Sequence, residues 1–296
     1  MAKILVTSLS MSDAGKTSTA RALLNYAILR NIDIAPFKPV GECWLYKDWS
    51  DIYGSACQKR LYGNDSFILK KGLNNDLTEE MISPVFRVVS PARHDQIEPY
   101  NPTMIARCSR LTNDEELIHE YAVNISRINE SSLTTPFNWI MDENKHIHHF
   151  NNQFELDELT KRFVSNSVSS VYKYINNRFK NLVIESSGFS AMPWIGFKEI
   201  DYVIAVNHGY IQLYCGVEYV ESLQKCTASE VNSNWLKNHE DPTKEIWKIF
   251  SLISSSQVVA NLSPIYEIVV PPLLKTELVP VIENLFEKIS EHISYD

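Results

Sequence analysis

Between the apolar run Ile4-Leu5-Val6 and a stretch of helical periodicity lies the segment Ser10-Met11-Ser12-Asp13-Ala14-Gly15-Lys16-Thr17. It fits the phosphate-binding pattern G-x-x-x-x-G-K-S/T, with Ser10 at the first glycine. A strand that delivers such a loop to a helix start leaves free backbone N–H groups facing a phosphate, where the helix dipole adds favourable charge. Gly15 permits the tight backbone. Lys16 then reaches the β- and γ-phosphates, and the Thr17 hydroxyl ligates Mg²⁺. The expected nucleotide-binding set is Ser12, Asp13, Ala14, Gly15, Lys16, Thr17 and Ser18, with ATP and Mg²⁺ as cofactors. The plainer alternative is a helix start capped by Ser12 or Asp13, with Lys16 in solvent.

The surrounding pattern is β-α-β. Ala20, Leu23, Leu24, Ala27 and Ile28 recur three or four apart, which predicts a helix over 17–29, and Asn31 supplies its stop. Residues 32–37 read as a second strand ahead of Pro39, and 181–184, 202–206, 257–260 and 266–270 as further strands. A closing helix carries Leu285, Phe286 and Ile289 on its apolar stripe. Apolar strands spaced by helical segments predict an α/β chain of the P-loop NTPase type, its mostly parallel sheet flanked by helices on both faces.

The stretch 111–152 is polar and rich in Asn, Ser and Glu, so it reads as an insertion or subdomain within a single domain covering 1–296. Its His146, His148 and His149 could suggest a metal site. Without strand or helix spacing to converge them, they read as a solvated loop.

Net charge narrows the function classes. At −8 over 296 residues the chain has no basic excess with which to neutralise a nucleic acid. No apolar stretch approaches bilayer length, and Ile4-Leu5-Val6 is too short for the apolar part of a secretory signal. The five cysteines are odd in number and far apart, as expected of reduced thiols in a cytoplasm.

Four segments follow one another in a telling order. The first is Ser10 with Asp13-Ala14-Gly15-Lys16-Thr17, and the second is Phe37-Lys38-Pro39-Val40 at a strand end. The third is Ser50-Asp51, opening an expected helix over 52–61. The last is Val183-Ile184-Glu185-Ser186-Ser187-Gly188, a strand ending in an acid before a turn. Together they resemble the dethiobiotin synthetase family and its P-loop relatives, including the synthetase domain of cobyrinic acid a,c-diamide synthases.

The resemblance implies a homodimeric ATP-dependent ligase that phosphorylates a carbamate or carboxylate before ring closure or amide formation. Its substrate would be a small carboxylate or a diamine. Thr17, Asp51 and Glu185 would surround Mg²⁺, while Lys16 and Lys38 would act as catalytic cations on the γ-phosphate and the nascent anion. Asn261, after Val258-Val259-Ala260, resembles the family's base-reading Asn. The family's Gly-Ala-Gly-Gly turn is replaced here by Ser186-Ser187-Gly188-Phe189.

Independently of the resemblance, an acid at the carboxyl end of an apolar strand sits where α/β sheets hold ligands, which favours Glu185. Lys38 could instead be a surface lysine, and Asp51 a helix-start acid favoured by the dipole. The aromatics Trp44, Tyr46, Trp49 and Tyr53 could stack a ligand ring or serve packing. Two other functions remain open. One is a cobyrinate-type amide ligase domain without glutaminase, and the other is a P-loop ATPase switch acting through nucleotide-controlled partner binding.

Overall fold

The computed structural model describes residues 2–9, 14–90, 103–130, 134–141, 146–188, 190–194, 197, 199–231, 253–269 and 283–289. The chain divides into two compact units, Met1–Phe37 with Asn176–Asp296, and Lys38–Ile175.

In the first unit, β1 (Lys3–Ser8) is buried along its whole length. It lies between β8 (Asn181–Glu185) and β9 (Tyr202–Asn207), parallel to both, and β2 (Ile34–Phe37) adds parallel to β8. Strands hidden on both faces need continuous apolar runs, and these four have them. Helix α1 (Lys16–Leu29) buries Ala20, Leu23, Leu24 and Ala27 of the stripe its periodicity predicts, while Ile28, also expected on it, is exposed. It ends on Asn31 in the left-handed region (φ 54). The Ile32 amide reaches back to Ala27 O at 2.8 Å and the Asn31 amide to Ile28 O at 3.1 Å, a Schellman close. Residues 283–289 are helical, and Phe286 stacks on Tyr26 of α1 at 4.5 Å between centroids.

The sheet is mixed rather than mostly parallel, with order β11-β10-β9-β1-β8-β2. β10 (Tyr210–Cys215) runs antiparallel to β9, with Asn207 opposite Tyr210. Only His208 and Gly209 (φ 85) lie between, and a two-residue turn can join only antiparallel strands. β11 (Tyr266–Val269) is antiparallel to β10 in turn.

Residues 257–260, expected as a strand, instead belong to a helix, Ser255–Val259, and the turn after it. Ser254 accepts the Gln257 amide while the Gln257 side chain accepts the Ser254 amide. This capping box overrides the β preference of Val258-Val259.

The second unit holds a five-stranded sheet in the order β3-β4-β5-β6-β7. Its strands are β3 (Val40–Trp44), β4 (Val85–Val89), β5 (Thr103–Leu111), β6 (Leu117–Val123) and β7 (Ile147–His149). The pairs β4–β5 and β5–β6 are antiparallel, and β3–β4 and β6–β7 parallel. The stretch 111–152 supplies β6, α5 (Ile125–Glu130), α6 (Thr134–Met141) and β7. Tyr121, Val123, Ile128, Phe137 and Ile140 from this stretch pack in one core with Leu45, Ile52 and Phe86. Its polar composition reflects the outer faces of elements whose inner faces are apolar.

Helices α2 (Trp49–Cys57), α3 (Asn64–Lys70) and α4 (Glu79–Ile82) connect β3 to β4. The boundary between the units falls in the last turn of α7 (Gln153–Arg178), and α8 (Gly216–Val231) and α9 (Ser255–Val259) complete the first unit. No helix among the described residues is long and apolar enough to cross a membrane.

Candidate phosphate and metal site

The carboxyl ends of the parallel strands β1, β8 and β9 share one edge of the first sheet, where α/β sheets hold their ligands. Helix α1 begins at that edge. Gly15 precedes its first turn with φ 93 and ψ 18, a left-handed conformation that a side chain would strain. The Thr19 amide closes on Gly15 O at 2.9 Å, so helical bonding starts at once and the amides of the first turn point out of the helix end. Ala14 is buried, Lys16 and Thr17 are half-buried, and Ser18 is exposed. Ser10, Ser12 and Asp13 lie outside the described residues.

Glu185 ends β8 opposite Val6 and is 1% exposed. The Thr17 hydroxyl donates to its Oε1 at 2.9 Å. Two oxygens at that separation suit a small hard cation. Mg²⁺ ligands at about 2.1 Å stand about 3 Å apart along an octahedral edge, and a hydroxyl beside a carboxylate is the right donor chemistry. Among the described residues no group of three or more His, Cys, Asp or Glu is placed to hold a metal ion. Mg²⁺ commonly takes one or two carboxylates and completes its shell with water and phosphate oxygens, so a Thr–Glu pair fits it.

Lys16 curls over the same edge. Its ammonium donates to Gly188 O at 2.6 Å and to Ser8 Oγ at 3.3 Å, and Ser8 Oγ donates to the same carbonyl at 3.1 Å. A cation, a hydroxyl and a carboxylate therefore meet at the head of α1. Neither Ser8 nor the Gly188 carbonyl was marked by the phosphate-loop motif. Gly188 closes the fourth of the ordered segments, which is its trace in the sequence, and Ser8 has none.

Three further candidates stand on other elements. Lys38 and Asp51 belong to the second unit. Lys38 is buried and ion-paired with Asp65. Asp51 stands in the first turn of α2, where partial burial, then the charges of Asp48 and Asp65, lift its carboxyl above the usual range. Asn261 is exposed in the turn after α9, so the strand end expected to present it as a base reader is absent.

His148 sits in β7 rather than in a loop. Its Nε2 lies 2.9 Å from Glu120 Oε2 and its ring 4.9 Å from that of Phe163. Trp49 and Tyr53 pack at 5.8 Å along α2, and Tyr53 meets Trp139 at 6.0 Å, while Trp44 and Tyr46 are exposed.

No protein-family model, no curated protein and no solved structure matches this chain.

Proposed function

We propose that the first unit binds ATP·Mg²⁺ at the head of α1, and that the chain is an ATP-dependent ligase of the dethiobiotin synthetase type. The observation that carries the nucleotide reading is the 2.9 Å contact between Thr17 and Glu185, with the Lys16 ammonium held nearby on Gly188 O. The parallel block β2-β8-β1-β9 is the part of a P-loop core that this site needs.

Thr17 and Glu185 would hold Mg²⁺, and amides at the start of α1 would turn to phosphate oxygens. Bound ATP·Mg²⁺ would supply the activated phosphoryl group. Lys16 would exchange a carbonyl for a phosphate oxygen, a stronger, charge-assisted bond. On the motif resemblance, Asp51 is proposed to join Thr17 and Glu185 around Mg²⁺, and Lys38 to act with Lys16 on the γ-phosphate and the nascent carbamate or acyl anion. A cytoplasmic homodimer is the proposed setting.

The test has two stages. Titration with a fluorescent ATP analogue is expected to show saturable, Mg²⁺-dependent binding, and a chain that ignores nucleotide would end the reading. Incubation with 7,8-diaminopelargonate, bicarbonate and ATP is then expected to yield dethiobiotin by mass spectrometry. Nucleotide binding without product would leave an ATP site of other purpose. The alternative of an ATPase switch draws support from the Lys16–Gly188 contact, which links the phosphate loop to the turn after β8. A change in oligomeric state on adding ATP would favour it, since a ligase keeps one state.

A further inference from the structure

We infer that Thr7, together with Ser255 and Tyr219, positions the turn after Glu185 so that Gly188 holds the Lys16 ammonium where a terminal phosphate would arrive. This rests on the nucleotide reading above and adds positioning residues to the same site.

The stretch that follows β8 is pinned at both ends. At its start the Ser186 amide bonds Val6 O at 3.0 Å, and the Ser186 hydroxyl donates to Thr7 Oγ1 at 3.0 Å. At its far end Thr7 Oγ1 reaches Ser190 O at 3.1 Å and Ser255 Oγ at 2.5 Å, while Ser255 Oγ lies 3.3 Å from the same Ser190 carbonyl. One residue on, Tyr219 donates to Ala191 O at 2.8 Å, and the Ala191 amide bonds Ile253 O at 3.0 Å. Between these anchors the Ser190 amide closes on Ser187 O at 3.1 Å, a turn that includes Gly188 at φ 55. Gly188 is exposed, and its carbonyl receives Lys16.

Thr7 is the hub of this arrangement. A hydroxyl offers one proton and two lone pairs. Thr7 accepts from Ser186, and it shares with Ser255 the task of supplying a donor to Ser190 O. Either Thr7 donates to that carbonyl and Ser255 donates to Thr7 or to the Tyr219 hydroxyl, or Ser255 takes the carbonyl and Thr7 donates to Ser255. Both arrangements satisfy the carbonyl, and both need the Thr7 oxygen. Thr7, Ser186, Ser255 and Tyr219 are all fully buried, so no solvent stands in for a lost hydroxyl. The set ties β1, α8 and α9 to one short turn, and the exposed carbonyl of that turn fixes the lysine.

Lys16 would reach the β- and γ-phosphates, and only ATP offers the second, so a displaced turn is expected to weaken ATP more than ADP. The experiment measures Kd for ATP and for ADP, with Mg²⁺, on wild type, Thr7→Val, Thr7→Ser and Ser255→Ala. Thr7→Val is expected to cut the ATP-over-ADP preference about tenfold, the effect of one misplaced charge-assisted bond. Thr7→Ser, which keeps the hydroxyl, is expected to restore it. A loss of packing alone would weaken both nucleotides alike and leave their ratio unchanged, and that result overturns the inference. If Thr7→Val does not fold, Ser255→Ala removes the partner hydroxyl on α9 and is read by the same ratio. A wild type that binds neither nucleotide overturns the nucleotide reading itself, and this inference with it.

Discussion

Thr17 Oγ1 and Glu185 Oε1 stand 2.9 Å apart although 168 positions separate them in the chain. Neighbouring parallel strands produce the encounter: β1 precedes α1 in the chain, and β8 ends level with Val6 on the Glu185 carboxylate. A carboxylate only 1% exposed is costly unless its charge is compensated, which makes Glu185 the most sensitive probe of the site.

Replacing Glu185 with Gln keeps the shape and an acceptor for Thr17 but removes the charge. Mg²⁺ is then expected to lose its effect on ATP affinity, a weakening of about tenfold or more for one charged ligand. The fold is expected to survive, because neutralising a buried carboxylate removes a desolvation cost. Nucleotide titrations with and without Mg²⁺ decide it. A variant whose affinity still rises with Mg²⁺ would strip Glu185 of its role.

Gly15→Ala probes the loop through its backbone. Among the described residues the nearest neighbour of an added Cβ would be Val206 Cγ1 at 3.9 Å, an ordinary contact, so the expected cost is that of φ 93. About 1–2 kcal/mol of stability is expected to be lost. Urea unfolding reads this directly, and an unchanged midpoint would mean the left-handed conformation is not required.

The β1-α1-β2 unit, β8 and β9 were legible because parallel strands buried on both faces must be continuous apolar runs. The same logic exposed Glu185, an acid where such a run ends. What escaped was local chemistry competing with propensity. Val258-Val259-Ala260 looks like strand until Ser254 and Gln257 are seen as a capping pair. Asn207-His208-Gly209 looks like a strand end until Tyr210 is seen to begin the return strand. The second unit's core was hidden because Tyr121 and Val123 of β6, Ile128 of α5 and Phe137 and Ile140 of α6 are scattered through a stretch that is polar on average. The hydroxyls around Thr7 carry no period at all, and nothing in a linear reading brings Thr7 to Ser255.

The capping box gives a separate check on α9. Ser254→Ala removes the acceptor for the Gln257 amide and is expected to destabilise this short helix by about 1 kcal/mol. Amide exchange at Gln257 and Val258 is expected to quicken. Unchanged protection there would show that Val258, fully buried, holds the helix without its cap.

Acid is expected to weaken the second unit in two stages. Arg107, fully buried, donates to Leu61 O at 2.7 Å, to Ser83 O at 2.6 Å and to Ser109 Oγ. Because Ser109 Oγ accepts from Arg107, its own proton turns to His119 Nδ1 at 2.8 Å, which selects a neutral imidazole. Burial, followed by the Arg107 charge, pulls His119 down to about 4 from 6.5. A base depressed in the fold takes up its proton first in the unfolded chain. The stability tied to neutral His119 is therefore complete above about pH 6.5 and declines as pH falls towards about 4.

Glu80 acts lower on the scale. Burial alone would raise its carboxyl, but hydrogen bonds from Arg60 and the charges of Arg107 and Arg60 outweigh this and hold it at about 2, against 4.5. Its contribution, on the order of 3 kcal/mol, is present above about pH 4.5 and lost as pH falls towards about 2. Exchange of the β5–β6 amides, followed down the pH scale, reads both stages. His119→Asn, which still offers an acceptor to Ser109, is expected to level the upper stage and leave the lower one. Glu80→Gln is expected to weaken the sheet at neutral pH and level the lower stage. A wild-type sheet whose protection holds constant from about pH 6.5 to about 4 would mean His119 charges without cost, and the neutral Arg107–Ser109–His119 chain would have to be abandoned.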